Sequence, residues 1–122
     1  MPGTKAELEQ IGKIASANGI RTEQYLQKEA NEFKFKSEID NPAVLHIATH
    51  GFFLSDLAES DDVVYGVEIS KAKENPLLRA GLMLADAENT INNTMEVSDA
   101  NNGILTAYEA MTLGLDQTKM VV

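Results

Sequence analysis

The sequence contains no cysteine. That excludes disulfides, and it excludes any metal site built on thiolates. Basic residues are also scarce: 10 Lys and Arg stand against 19 Asp and Glu, for a net charge of −9. Nucleic acids and anionic membrane surfaces both need cations to neutralise phosphate, so the charge balance argues against either as a partner. Long apolar runs are missing too. No stretch approaches the roughly 20 residues needed to span a bilayer. The opening Met1-Pro2-Gly3-Thr4-Lys5 lacks the apolar core of a signal peptide. A cytoplasmic protein fits these absences.

What is present suits one globular domain. The chain has 122 residues, with 43% hydrophobic and 24% charged, enough for a moderate core. Thr4-Lys5-Ala6-Glu7 reads as a capping box, with Thr4 as N-cap. Leu8, Ile11, Ile14 and Ala15 follow at helical spacing, and Asn18-Gly19 supplies a stop. Residues 20–27 alternate weakly and read as a strand. Asn31 is placed to cap a short helix through Phe33, Phe35 and Ile39, which Asn41-Pro42 ends.

The segment Val44 to Phe53, VLHIATHGFF, carries both histidines of the chain. Val44 to Thr49 is almost continuously apolar, as in a central parallel strand covered on both faces. Residues 54–64 are acidic and polar and read as an exposed loop. Gly81 to Ala85 form a short apolar strand. Residues 88–103 are rich in turn formers, with Asn101-Asn102-Gly103 the strongest signal. Thr106-Ala107-Tyr108-Glu109 is a second capping box, opening a helix that ends near Gly114. Lys119 to Val122 begin another strand. This order is that of an α/β domain with a largely parallel sheet flanked by helices. The last strand stops before its carboxyl end, so the chain reads as a domain truncated within a sheet. An open sheet edge and a bare apolar face would favour self-association.

The two histidines differ in what they offer. His46 lies inside the apolar run and reads as a neutral core histidine with one ring hydrogen bond. A metal site using His46 and His50 together lacks a third ligand at any recognisable spacing, so none is assigned. His50 leaves the strand just before Gly51. A histidine facing a cleft, beside a backbone N–H with no side chain in front of it, can supply a general base and an oxyanion donor. Phe52 and Phe53 read as anchors of a loop into the core. The acidic run from Asp56 to Asp62 reads as a solvated face. Arg79 can pair with an acid or with a substrate carboxylate.

VLHIATHGFF resembles the histidine motif of the CHAT-domain family, caspase-like cysteine peptidases often joined to TPR repeats. The likeness extends over most of the chain. Residues 2–14, PGTKAELEQIGKI, resemble the family's opening helix, and residues 75–87, NPLLRAGLMLADA, its central apolar motif. Residues 101–122, NNGILTAYEAMTLGLDQTKMVV, resemble the segment leading into its cysteine strand. The resemblance implies a caspase-haemoglobinase-like fold and a His/Cys dyad. It assigns the dyad histidine to His50 and a backbone oxyanion donor to Gly51. No cofactor is implied. Residues 1–122 then form the N-terminal, histidine-bearing part of one such domain, with the nucleophile beyond Val122. The parent would hydrolyse peptide bonds in a protein or peptide substrate, with TPR repeats as possible neighbours in the same chain. The chain itself would be inactive. The alternative is a degenerate, non-catalytic caspase-like scaffold for protein interaction. A small α/β ligand-binding domain is a third reading.

Overall fold

The computed structural model describes residues 2–55, 62–92 and 102–122. Helix α1, Pro2–Ala17, opens the chain. It begins at Pro2, whose fixed φ suits a first helical turn. Thr4 therefore sits inside the helix and does not cap it, and its buried Oγ1 has no hydrogen-bond partner among the described residues. The stop is where the sequence puts it. Gly19 adopts φ +69°, Ile20 N–H donates to Ala15 C=O at 2.9 Å and Gly19 N–H to Ser16 C=O at 3.1 Å. That pair of bonds is a Schellman cap.

Residues 20–26 form no strand, correcting the reading from weak alternation. A 3-10 turn, Gln27–Glu29, follows instead. Helix α2, Glu32–Glu38, is capped as expected: the Asn31 side chain accepts from Lys34 N–H at 2.9 Å. Strand β1, Val44–Leu45, is much shorter than the apolar run suggests, and strand β2, His50–Phe53, starts separately. Strands β3, Val63–Val64, and β4, Val67–Glu68, form a hairpin. Its turn residues Tyr65 and Gly66 have φ of 50° and 73°, the left-handed pair that matches strand twist in two-residue hairpins. Helix α3, Ile69–Glu74, strand β5, Ala80–Met83, and helix α4, Ala87–Ile91, come next. Strand β6, Ile104–Thr106, leads directly into helix α5, Ala107–Ala110, and strand β7 is Met120–Val121. The second capping box forms in full, Thr106 and Glu109 each satisfying the other's backbone N–H.

A largely parallel sheet is not what forms among the described residues. β1 and β7 do pair in parallel, with Val44 opposite Met120 and Leu45 opposite Val121. The larger sheet, in the order β2-β5-β6, is antiparallel throughout. Mixed helix and strand with small sheets is compatible with an α/β fold. The apolar run misled because it serves two ladders. Its first half pairs with β7, and its second half turns away to meet β5.

Close packing is concentrated at β6. Ile104 and Leu105 are 1% and 2% exposed. Gly103 N–H donates to the buried Glu32 carboxylate at 2.9 Å. Glu32 also accepts from Lys36 Nζ, and Lys36 reaches Glu109 Oε1 at 2.9 Å. Glu109 Oε2 in turn accepts from Thr106 N–H and its hydroxyl, both at 2.9 Å. Two segments far apart in sequence, residues 32–36 and residues 103–109, are thus joined by one chain of charged hydrogen bonds. Desolvation raises the Glu32 pKa, and its bonds to Lys36 and Gly103 offset this only in part. For Glu109 desolvation is outweighed by the Thr106 and Lys36 donors, so its pKa is lowered. Lys36 behaves likewise: desolvation is outweighed by its two carboxylate partners, and its pKa is raised. No helix among the described residues is long and apolar enough to cross a membrane.

Candidate functional site

β1 delivers the histidine segment to the site. Its ladder with β7 continues past the strand ends: Val122 N–H donates to Leu45 C=O at 2.9 Å, and Ile47 N–H to Val122 C=O at 2.7 Å. The chain then bends. The Thr49 hydroxyl donates to the Met83 carbonyl, fixing the bend against β5 just before His50. Sequence reasoning missed Thr49, because a hydroxyl at the end of an apolar run carries no signature of its own.

His50 opens β2 opposite Met83 and is exposed. Its ring makes no hydrogen bond among the described residues. Gly51 follows, opposite Leu82. A Cβ at Gly51 would lie 3.4 Å from Gly81 O and 3.8 Å from Leu82 Cδ2, both ordinary contacts. Its φ is not in the left-handed region. Nothing in the packing around it, therefore, demands a glycine there.

The hydrogen-bond pattern of β2 fixes where the Gly51 N–H points. Antiparallel partners alternate between bonded and non-bonded pairs. Leu54 N–H donates to Arg79 C=O at 2.7 Å, marking that pair as bonded. Two residues earlier, Phe52 and Gly81 are bonded, then His50 and Met83. Gly51 and Phe53 fall at the non-bonded positions, so their N–H and C=O groups point away from β5. β2 is an edge strand among the described residues, so these groups face outward.

The phenylalanines divide. Phe52 anchors as expected, but on a second aromatic: its ring stacks on Tyr65 with centroids 4.9 Å apart. Its edge also lies over Gly81, where a Cβ would come within 2.8 Å of it. Phe53 is not an anchor; it is 71% exposed. An apolar groove of about 260 Å³ lies beside Phe52, lined by Phe52, Gly81, Leu82, Leu105, Ala107 and Ala110 among others. His50 does not line it.

His46 is neither inside β1 nor in the core. Its side chain is 22% exposed, and Nε2 lies 3.0 Å from Glu7 Oε1. The one ring hydrogen bond is present, and it ties α1 to the histidine segment. The bend at Thr49 separates His46 from His50, so they do not share one strand face. No cluster of three or more His, Asp or Glu able to hold a metal occurs among the described residues. Arg79 is committed to structure: Nε donates to Ala72 C=O at 2.9 Å and an NH2 group to Lys73 C=O at 3.2 Å. Its guanidinium closes the C-terminal end of α3. Of the acidic run Asp56–Asp62, all but Asp62 lies outside the described residues, as do residues 93–101 of the turn-rich region.

Among curated proteins none matches the chain, and no solved structure matches it. The family model described as CHAT domain matches residues 1–122, its whole length. The chain belongs to the CHAT domain family.

Proposed function

We propose that this CHAT-domain chain is the histidine-bearing part of a caspase-like cysteine peptidase, with His50 as general base and Gly51 N–H as oxyanion donor. The nucleophile is a cysteine further along the chain than Val122. The single observation that carries the reading is the parallel ladder between β1 and β7. It sets the C-terminal strand beside the segment leading to His50. That ladder runs toward the bend at Thr49, so residues following Val122 in the same direction would approach the place where His50 leaves it. A dyad needs that meeting of two distant segments, because imidazole must sit within hydrogen-bond reach of the sulfur to activate it.

Gly51 supports the reading from another side. Its backbone neither needs a glycine's freedom nor lacks room for a Cβ. Its N–H points off the open edge of β2, where a developing oxyanion could accept it. The described chain supplies base and donor but no thiol. It should not turn over peptides on its own, because imidazole alone is a poor nucleophile toward an amide.

The test uses the longer protein proposed to contain this segment. Sequencing past Val122 should reveal a cysteine at the end of the β7 strand. In that protein His50→Ala should remove most peptidase activity and leave the thermal midpoint nearly unchanged, since an exposed residue contributes little packing. His46→Ala should cost about 1 kcal/mol through the lost Glu7 bond, with activity falling only as the folded fraction falls. A different residue at the strand end, or full activity in folded His50→Ala, would replace this reading with that of a non-catalytic scaffold.

A further inference from the structure

We propose that the open edge of β2 is a docking strand for an extended peptide, which adds to the β2-β5-β6 sheet through the outward groups of Gly51 and Phe53. The argument is one of backbone geometry and does not depend on whether the parent hydrolyses anything. Two N–H and two C=O groups, two residues apart on one edge, form the repeat that an extended backbone presents. An edge of this kind is normally blunted by charge, proline or a covering segment. β2 carries neither Lys, Glu, Asp nor Pro. Its exposed residues are His50, Gly51 and Phe53.

Side chains narrow the partner. Opposite a glycine, an added strand finds no Cβ, and the space over Gly51 is bounded by Leu82 Cδ2. A large apolar or aromatic side chain fits such a gap, as aromatic residues do beside glycines in sheets. Two residues along, Phe53 offers a ring that is 71% exposed. The net charge of −9 repels acidic peptides and favours basic flanks. The partner is therefore an extended segment with an aromatic residue placed opposite Gly51 and lysine or arginine nearby.

Amide hydrogen exchange of this chain, followed by NMR, tests the parity first. In the free protein, Phe52 and Leu54 amides should be protected and those of Gly51 and Phe53 should exchange fast. The probe is an acetylated, amidated heptapeptide alternating valine and threonine, with phenylalanine at its centre and lysine at both ends. At millimolar concentration it should slow exchange at Gly51 and Phe53. N-methylation of its phenylalanine, which removes an inward-pointing N–H, should weaken binding at least about tenfold, the loss expected for one to two hydrogen bonds. N-methylation one residue away points at solvent and should leave affinity within a factor of about three. Phe53→Pro should abolish binding, whereas Phe53→Thr, which keeps the N–H, should retain it. Protected Gly51 and Phe53 amides in the free protein would overturn the proposal. So would absent peptide binding, protection confined to other strands, or equal effects of the two N-methyl peptides. Failure here leaves the dyad test above untouched, and that test's failure leaves this edge intact.

Discussion

Leu105 and Val121 are both aliphatic residues within short strands, yet one is 2% exposed and the other 56%. They mark two regions built on different rules. Around β6 the chain is clamped from several sides. Ile104 and Leu105 fill the sheet, Gly103 is pressed against α4, and a charged network joins α2 to α5. The β1·β7 ladder has register but little cover: Val44, Met120, Val121 and Val122 are each more than half exposed. Stability therefore resides beside the candidate site, whereas the ladder that orients the histidine segment is held chiefly by backbone bonds. The largest mutational effects should fall in the first region and the smallest in the second.

Gly103→Ala is the severest test of that contrast. Its φ is +80°, and a Cβ would lie 2.3 Å from Ala87 N and 2.7 Å from Ala85 O. Both are backbone atoms and cannot step aside. Roughly 4 kcal/mol or outright unfolding is expected, read from urea denaturation. A near-normal midpoint would mean that the clamp at β6 is looser than the contacts imply.

The charged network comes next. Glu32→Gln keeps an acceptor for Gly103 N–H but removes one of the carboxylates that Lys36 meets among the described residues, at a cost of about 2 kcal/mol. Its pH behaviour separates the two acids. The lowered pKa of Glu109 gives stability that is present above the ordinary 4.5 and lost as pH falls through the folded value. The raised pKa of Glu32 has the opposite sign: stability falls as pH rises from 4.5 through its folded value. Denaturation midpoints measured from pH 7 to pH 3 should thus show a shallower acid loss in Glu109→Gln than in the parent chain. An unchanged acid limb would place the titrating group elsewhere.

How much of this was legible follows from where each signal lives. Local signals survived. Gly19 ends α1, Asn31 caps α2, and Thr106 with Glu109 closes the second capping box, because each depends on residues within one turn. Thr4 failed because Pro2 starts the helix earlier. The parallel pairing of residues near Val44 and Met120 was legible from two apolar runs separated by a crossover. The antiparallel sheet was not. β6 is only Ile104–Thr106, too short to show a period, and its burial comes from partners distant in sequence. Glu32 was hidden for a related reason: a carboxylate reads as surface until Lys36, Glu109 and Gly103 are seen to surround it. At the candidate site, His50 and Gly51 stood out by residue type, but the outward direction of the Gly51 N–H required the register with β5.

Gly19→Ala refines the first prediction by separating dihedral cost from crowding. Gly19 shares the left-handed φ of Gly103, at +69°, yet a Cβ there would meet nothing within 4 Å. Only the conformational penalty remains, about 1 kcal/mol. Should Gly19→Ala cost as much as Gly103→Ala, backbone conformation and not packing would govern both.

Val121→Lys is the smallest change to folding and the sharpest probe of the exposed ladder. Val121 pairs with Leu45 through the backbone while its side chain stays 56% exposed. A lysine there keeps the N–H and C=O groups of the ladder, so stability should move by less than about 0.5 kcal/mol. Association should respond more strongly. β7 has one paired edge and one open edge among the described residues, and Met120, Val121 and Val122 present contiguous apolar surface beside it. Such an edge is a template for a second copy, and lysine is the usual means of blunting it. Light scattering across a concentration series should show the unsubstituted chain gaining mass as concentration rises, and Val121→Lys remaining smaller at equal concentration. If both stay monomeric at high concentration, the bare ladder is not a self-association surface. If both associate equally, the contact lies elsewhere, and the open edge of β2 becomes the next place to introduce a charge.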